Sequence, residues 1–124
     1  MIIKESAENY LEAILSIKKA KGNVRSIDVA NDLGVSKPSV SVAMKHFREE
    51  GYITVDENGF LDLTEKGLTI AENVYERHLV IAKALMVMGV SEKTAYEDSC
   101  KIEHCISVES FDKLKEFLKR HEEE

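Results

Sequence analysis

Two short helix signals separated by one tight turn dominate the segment SIDVANDLGVSKPSVSVAMKHFREEG, and they limit the fold more than any other feature of the chain. Ser26 is a favourable N-cap for the first helix, and Gly34 is a favourable stop because glycine tolerates the left-handed conformation that ends many helices. Ser36 caps a second helix, whose first turn accepts Pro38 because the first amides of a helix have no intrahelical partner. The segment therefore predicts two helices joined by a short turn.

The flanking segments extend this prediction to a whole domain. Upstream, apolar residues recur at helical spacing, namely Ala7, Tyr10, Leu11, Ile14 and Ile17. Downstream, two β-prone runs, Tyr52–Val55 and Phe60–Leu63, flank an Asp-Glu-Asn-Gly turn, which is typical of a β-hairpin. Three helices followed by a hairpin is the order of a winged helix-turn-helix.

The remaining segments are all predicted to be helical. A long helix opens at Thr64, a further helix capped by Ser91 runs through CKIEHC, and Ser107 caps the last helix. We therefore expect a mainly α fold with a small β-hairpin, in which a winged helix-turn-helix DNA-binding domain spans residues 1–64. A second, α-helical domain is expected over residues 65–124.

Local charge favours a nucleic-acid partner although the net charge of −6 argues against one. The stretch from Ser36 to Arg48 contains basic residues and no acidic residue. Small hydroxyls here can reach phosphates or base edges, Pro38 can meet a thymine methyl group, and Lys45 suits a phosphate. The residues expected to contact double-stranded DNA are Arg25, Ser26, Ser36, Lys37, Pro38, Ser39, Ser41, Val42 and Lys45. The alternative is that the serines serve only as caps and solvated surface.

The hexapeptide CKIEHC, residues 100–105, places both cysteines of the chain beside a glutamate and a histidine. On a helix Cys100, Glu103 and His104 share one face, because they stand at i, i+3 and i+4. Thiolate, carboxylate and imidazole on one face are a credible ligand set for a divalent metal ion. The pattern alone is weak, since a Glu-His pair near a cysteine is more often a surface pair beside a buried thiol. Cys105 is rotated off this face and is expected to pack.

Three polar residues elsewhere are either further metal ligands or residues with no functional role. His78 lies on the apolar face of the long helix, where a lone histidine is usually a satisfied core residue. Asn9 and Glu12 stand at i and i+3 on the first helix, where such residues are usually solvated surface. The spacing by itself does not decide between a metal site and these ordinary roles.

Over essentially its whole length the chain resembles the metal-dependent repressors related to diphtheria toxin repressor and the manganese transport regulator. The motifs that carry the resemblance occur in unbroken order, as SAENYLEAIL, VSKPSVS, LDLTEKG, the dipeptide Arg77-His78 and CKIEHCIS. The resemblance implies a homodimeric, metal-activated winged-helix DNA binder that dimerises through the helices after the wing. With 124 residues, the chain is expected to lack the SH3-like domain of the larger iron-type members.

The resemblance also implies a metal site, with its ligands at Asn9, Glu12, His78, Cys100, Glu103 and His104. Asn9 stands where the manganese branch has Asp and the iron branch has Met, Glu12 matches the manganese branch, and Cys100 matches the iron branch. Ala82 and Tyr96 replace the usual Glu and His of an ancillary site, which argues against a second ion. The expected cofactor is one divalent transition-metal ion per subunit. Fe2+ is favoured because a thiolate ligand tilts selectivity away from Mn2+; Mn2+, Co2+, Ni2+ and Zn2+ are the alternatives.

The predicted function is metal-activated repression of metal-homeostasis genes, by a cytoplasmic homodimer that binds pseudo-palindromic operator DNA. No membrane or small-molecule substrate is expected. The alternative function is that of a metal-independent winged-helix regulator with a degenerate metal site. An enzyme is disfavoured, because the sequence contains no Gly-rich phosphate loop and no nucleophile elbow. The dimer is expected to bury the apolar positions Val80, Ile81, Leu85, Met86, Met88, Ile106, Phe111 and Phe117.

Overall fold

The computed structural model describes residues 5–123 and contains, within them, six helices and one antiparallel pair of strands. The elements are α1 (Glu5–Lys21), α2 (Ser26–Leu33), α3 (Lys37–Glu49), β1 (Ile53–Val55), β2 (Leu61–Leu63), α4 (Glu65–Val87), α5 (Glu92–Ile102) and α6 (Val108–Glu123). The mainly α fold with a winged helix-turn-helix is therefore confirmed. The chain divides into two compact units, residues 1–72 and 73–124, so that α4 begins in the first unit and ends in the second. The predicted boundary at residues 64 and 65 stays a prediction.

The turn between α2 and α3 follows from its capping residues. Gly34 has φ 66°, the left-handed conformation expected at a helix stop. Ser36 is the N-cap of α3, and its Oγ accepts the amide of Ser39 at 3.3 Å. The N-cap of α2 is Arg25, so the prediction of Ser26 as that cap is wrong. Arg25 is held in extended backbone by its bridge to Phe60, which makes Ser26 the first helical residue.

The hairpin is fixed to the helices by backbone hydrogen bonds. Ile53 pairs with Leu63 and Val55 with Leu61. The Leu61 amide donates to the carbonyl of Val24 at 2.7 Å, which ties β2 to the loop before α2. Within the turn, the carboxylate of Asp56 accepts two amides at 2.9 Å. The wing is thus fixed to the loop before α2 by contacts within the first unit.

The core of the first unit is made from the apolar faces that the sequence predicts. Its most deeply buried side chains include Leu11, Ile14, Val24, Val29, Val40 and Ile53. Phe47 of α3 stands edge-on to Tyr10 and to Tyr52, with ring centroids 5.9 and 6.3 Å apart. These contacts leave the polar face of α3 outside the core.

The second unit differs from the prediction at CKIEHC. Helix α5 ends at Ile102, and residues 103–105 form a turn, so the prediction of a helix running through the hexapeptide is wrong. Ser107 caps the N-terminus of α6 as predicted, because its Oγ accepts the amide of Ser110 at 3.1 Å. The structure shows no helix within residues 5–123 that is long and apolar enough to cross a bilayer.

Candidate metal centre

The turn that follows α5 keeps Glu103 close to the helical path. Glu103 has φ −57° and ψ −24°, and its amide donates to the carbonyl of Ser99 at 3.0 Å. Because this residue remains helical, its side chain projects on the same side as Cys100 although the helix has ended. The predicted grouping of these two residues with His104 therefore has a structural basis within the second unit.

The carboxylate of Glu103 lies between two imidazoles. Its Oε2 is 3.0 Å from Nδ1 of His78, and its Oε1 is 3.2 Å from Nε2 of His104. The side chain of Glu103 is 0% exposed and that of His104 is 2% exposed. A carboxylate in such a place is costly unless positive charge or hydrogen bonds compensate for the lost water.

One oxygen of this carboxylate has no hydrogen bond. Oε1 of Glu103 is fully buried, and among the described residues no group donates a hydrogen bond to it. The short contact with His104 is an electrostatic one, since it lacks hydrogen-bond geometry. A buried oxygen with an unused lone pair beside two imidazole nitrogens is suited to a cation.

Cys100 adds sulfur to these donors. Its Sγ lies 3.5 Å from Nδ1 of His78, the same nitrogen that contacts Glu103. Donors that bind one ion at about 2.0–2.3 Å stand roughly 3–3.7 Å apart, so both separations suit neighbouring ligands of a shared ion. Oxygen, nitrogen and sulfur donors together fit a divalent transition-metal ion better than Mg2+ or Ca2+, which prefer oxygen.

The other predicted ligands lie on α1. Asn9 and Glu12 are one turn apart in the first unit, and both are half-buried. Their participation in the metal centre stays a prediction.

The positions of the implied ancillary site hold an alanine and a tyrosine in place of the usual carboxylate and imidazole. Ala82 is fully buried, and Tyr96 places its ring 5.5 Å from the ring of His78. The predicted packing of Cys105 is wrong, because this residue is exposed in the turn. Its position after the end of α5 turns it outward.

Sequence reasoning gave no role to two residues that contact the backbone of the candidate site, namely Arg77, which it quoted only within a motif, and Ser99. Arg77 donates from Nη1 to the carbonyl of Glu103 at 3.2 Å, and the buried Ser99 donates from Oγ to the carbonyl of His78. Both residues directly precede a predicted ligand in the sequence. No periodicity identifies them, because their partners are backbone carbonyls of another element.

The predicted DNA-contacting residues form the outer face of the helix-turn-helix. All of them are exposed except Ser26, which is half-buried. Val42 is 71% exposed, an unusual degree for an apolar residue within a helix. The hydroxyls of Ser36 and Ser39 lie 2.8 Å apart, which agrees with the alternative that they serve as caps without excluding contacts to phosphate.

The guanidinium of Arg25 lies over the ring of Phe60, with its central carbon 4.5 Å from the ring centroid. This contact places a positive charge at the base of the wing. A cation there and the acid-free face of α3 belong to the same unit of the structure, and both suit a polyanion.

Comparison with known proteins gives matches along nearly the whole chain. Residues 3–60 match the iron-dependent repressor N-terminal DNA-binding domain, and residues 64–124 match the iron-dependent repressor metal-binding and dimerisation domain. The chain is 32% identical to the transcriptional regulator MntR of Escherichia coli O6:H1 over 118 residues, covering 95% of this chain and 76% of that protein. It is 31% identical to MntR of Bacillus subtilis over 119 residues, covering 96% of this chain and 84% of that protein.

A solved structure gives the same likeness in three dimensions. The crystal structure of T. acidophilum IdeR superposes with a TM-score of 0.80 at 25% identity. The match covers 96% of this chain and 55% of that one, so the present chain spans about half of the length of IdeR.

Proposed function

The chain belongs to the iron-dependent repressor family, and on that premise we propose that it is a transcriptional repressor whose DNA binding is activated by a divalent metal ion. The observation that carries this proposal is the buried carboxylate of Glu103, with one oxygen lacking a hydrogen bond, between His78 and His104. Regulation of metal homeostasis is the role that fits such a sensor. The relatives are transcriptional regulators, in agreement with the prediction that the chain is not an enzyme.

The ion is proposed to be held by His78, Cys100, Glu103 and His104, with Asn9 and Glu12 completing the ligand set. When bound, the ion supplies positive charge that compensates the buried carboxylate and links donors from separate elements. The protein's part is to keep His78 and Glu103 at ligand spacing. If α1 supplies the remaining ligands, the metal favours the arrangement that closes the site, and DNA affinity rises by linkage.

Fe2+ is the proposed physiological ion. The thiol of Cys100 favours Fe2+, Co2+, Ni2+ or Zn2+ over Mn2+, because Mn2+ prefers oxygen and imidazole donors. The relatives named MntR and the carboxylate of Glu103 support Mn2+ as the competing assignment. If the thiolate of Cys100 sets the preference for Fe2+, Cys100→Ser should weaken Fe2+ and Co2+ binding far more than Mn2+ binding; equal effects on all three ions would support Mn2+.

Helix α3 is proposed to enter the major groove of operator DNA. Lys45 would contact phosphate, while Pro38 and Val42 stand at i and i+4 and present apolar surface to thymine methyl groups. Replacing thymine by uracil removes only that methyl group. Uracil substitution should therefore weaken binding of the wild type at one or two positions, and weaken binding of Val42→Ser much less.

The family's second domain supports a homodimer, whose two-fold axis would match a pseudo-palindromic operator. Met88 and Phe117 are exposed and line a shallow groove of the second unit together with Ala84 and Leu114. They remain candidates for the interface. Ile81 and Phe111 are buried within the chain, so the prediction that the dimer buries them is wrong. Their side chains are already used by the core.

Metal-dependent DNA binding tests the proposal directly. The probe is a duplex that the metal-loaded protein selects from a randomised DNA library. Its affinity is measured by fluorescence anisotropy with chelator and then with Fe2+ under anaerobic conditions, Mn2+, Co2+, Ni2+ and Zn2+. We expect His104→Ala to abolish the metal response, whereas His121→Ala, an exposed histidine of α6, should keep it. Equal affinity with chelator and with every metal would support the metal-independent regulator instead.

A further inference from the structure

Two hydrogen bonds tie the backbone of each metal-centre element to a side chain of the other. Ser99 of α5 donates from Oγ to the carbonyl of His78 on α4, at 2.5 Å. Arg77 of α4 donates from Nη1 to the carbonyl of Glu103, just past the end of α5, at 3.2 Å. The accepting carbonyls belong to two proposed ligands, His78 and Glu103. The donors are the residues just before two proposed ligands, since Arg77 precedes His78 and Ser99 precedes Cys100. We refer to Arg77 and Ser99 as the carbonyl clamp.

The hydroxyl that donates the first of these bonds belongs to a fully buried residue, Ser99. Ser99 is 0% exposed, and a buried hydroxyl must find an acceptor or lose the free energy of its bonds to water. In a helix a serine can use a carbonyl of its own preceding turn, yet this hydroxyl reaches across to α4. The carbonyl of His78 lies inside α4, so the bond fixes α5 against that turn of α4.

The Arg77 bond has the reverse direction, with its donor on α4 and its acceptor just after α5. The carbonyl of Glu103 lies at the end of α5, where helix carbonyls lose their intrahelical partners. A guanidinium is a charged donor, and its hydrogen bonds are stronger than those between neutral groups. Arg77 therefore holds the turn that carries Glu103, whose Oε2 stands 3.0 Å from Nδ1 of His78.

We propose that Arg77 and Ser99 are positioning residues, which hold His78 and Glu103 at ligand spacing before the ion arrives. The inference rests on the proposed metal-activated function and specifies how the second unit prepares its part of the site. Ligands placed in advance do not have to be ordered by the ion, so the clamp raises metal affinity without touching the metal.

A structural role alone makes a different prediction. If the two bonds only stabilise the packing of α5 on α4, their loss lowers the stability of metal-free and metal-loaded protein equally. The metal dissociation constant is then unchanged, because it depends on the difference between the two states. If the bonds position the ligands, their loss instead raises the metal dissociation constant and reduces the metal-induced rise in Tm.

The experiment uses full-length protein and Co2+, whose absorption spectrum reports ligand type and geometry. The variants are Ser99→Ala, which removes the hydroxyl, and Arg77→Met, which keeps the aliphatic stem. Arg77→Lys tests rescue by a shorter, single-point donor. Thr69→Ala is the control for the serine, because the hydroxyl of Thr69 also donates to a helix carbonyl, that of Glu65 at 3.0 Å. Arg120→Met is the control for the arginine, because Arg120 is an exposed residue of α6.

We expect Ser99→Ala and Arg77→Met each to raise the Co2+ dissociation constant about tenfold and to alter the absorption spectrum. Arg77→Lys should recover part of the loss, and both controls should match the wild type. At saturating Co2+ the clamp variants should regain DNA binding, because the ligands themselves are intact.

Wild-type dissociation constants and spectra in Ser99→Ala and Arg77→Met would overturn the clamp while leaving the metal-activated function standing. Equal losses of Tm with and without Co2+, at an unchanged dissociation constant, would overturn it in favour of packing. A wild type that binds no Co2+, Fe2+ or Mn2+ would overturn the proposed function and the clamp with it.

Discussion

Replacement of Glu103 by glutamine should separate stability from metal binding at the centre of the site. The substitution keeps the size of the side chain and removes its negative charge. The carboxylate is fully buried, and no group of residues 5–123 donates a hydrogen bond to its Oε1. Leaving a buried polar group unsatisfied costs about 1–3 kcal/mol, so the wild type carries a penalty of this order that an ion would relieve.

Glutamine reduces that penalty. A neutral amide costs less to bury than a carboxylate, and its oxygen can still accept from Nδ1 of His78, which lies 3.0 Å from Oε2 in the wild type. We therefore expect metal-free Glu103→Gln to be about 1 kcal/mol more stable than the wild type. For a chain of this size that corresponds to a rise in Tm of roughly 3–5 °C.

The metal response should change in the opposite direction. An ion at 100 times its dissociation constant adds about 2.7 kcal/mol to the stability of the wild type. The variant should gain much less of this, because a neutral amide at position 103 cannot balance the charge of the ion as the carboxylate does. Thermal unfolding with chelator and with Mn2+ or Co2+ measures both effects in one series.

A matched control is available in Glu76→Gln. Glu76 pairs with Lys115 at 2.6 Å on the surface, where removal of a charge has little effect on stability and none on the metal response. If metal-free Glu103→Gln unfolds at a lower temperature than the wild type, the carboxylate stabilises the fold and the reasoning from its unsatisfied oxygen is refuted. A full metal-induced rise in Tm in the variant would remove Glu103 from the ligand set.

Three further predictions concern the first unit. Gly67→Ala should destabilise it by about 2 kcal/mol or more in chemical denaturation, because a Cβ there would stand 2.0 Å from the carbonyl oxygen of Tyr52; wild-type stability would show that α4 can shift. Lys45→Ala should weaken DNA binding across sequences and reduce the salt dependence by roughly one unit per half-site; an unchanged slope would exclude Lys45 from phosphate contact. The hydrogen bond from Lys18 holds the pKa of Asp62 below its ordinary value of 3.8. The pairing of Asp62 with Lys18 therefore contributes its full stability above pH 3.8 and loses it as the pH falls through the lower pKa of the folded state. Asp62→Asn should reduce the acid sensitivity of unfolding, and identical acid titrations of variant and wild type would contradict this.

The sequence by itself determined the order and type of the elements. Helix caps at Gly34 and Ser36, the hairpin turn and the apolar periodicity of each helix act over a few residues, so they can be recognised without a structure. The same local rules grouped Cys100, Glu103 and His104. They failed at the end of α5, where the chain leaves the helix while Glu103 keeps helical dihedral angles.

Only the tertiary structure decided which of these groups are buried and what they contact. Arg25 caps α2 because it pairs with Phe60, far along the chain. The complete burial of Glu103, its two imidazole neighbours and the two clamp bonds depend on α4 and α5 lying side by side within the second unit. Periodicity shows which face of a helix is apolar, but a hydrogen bond to a backbone carbonyl of another helix leaves no pattern in the sequence, because every residue carries that carbonyl.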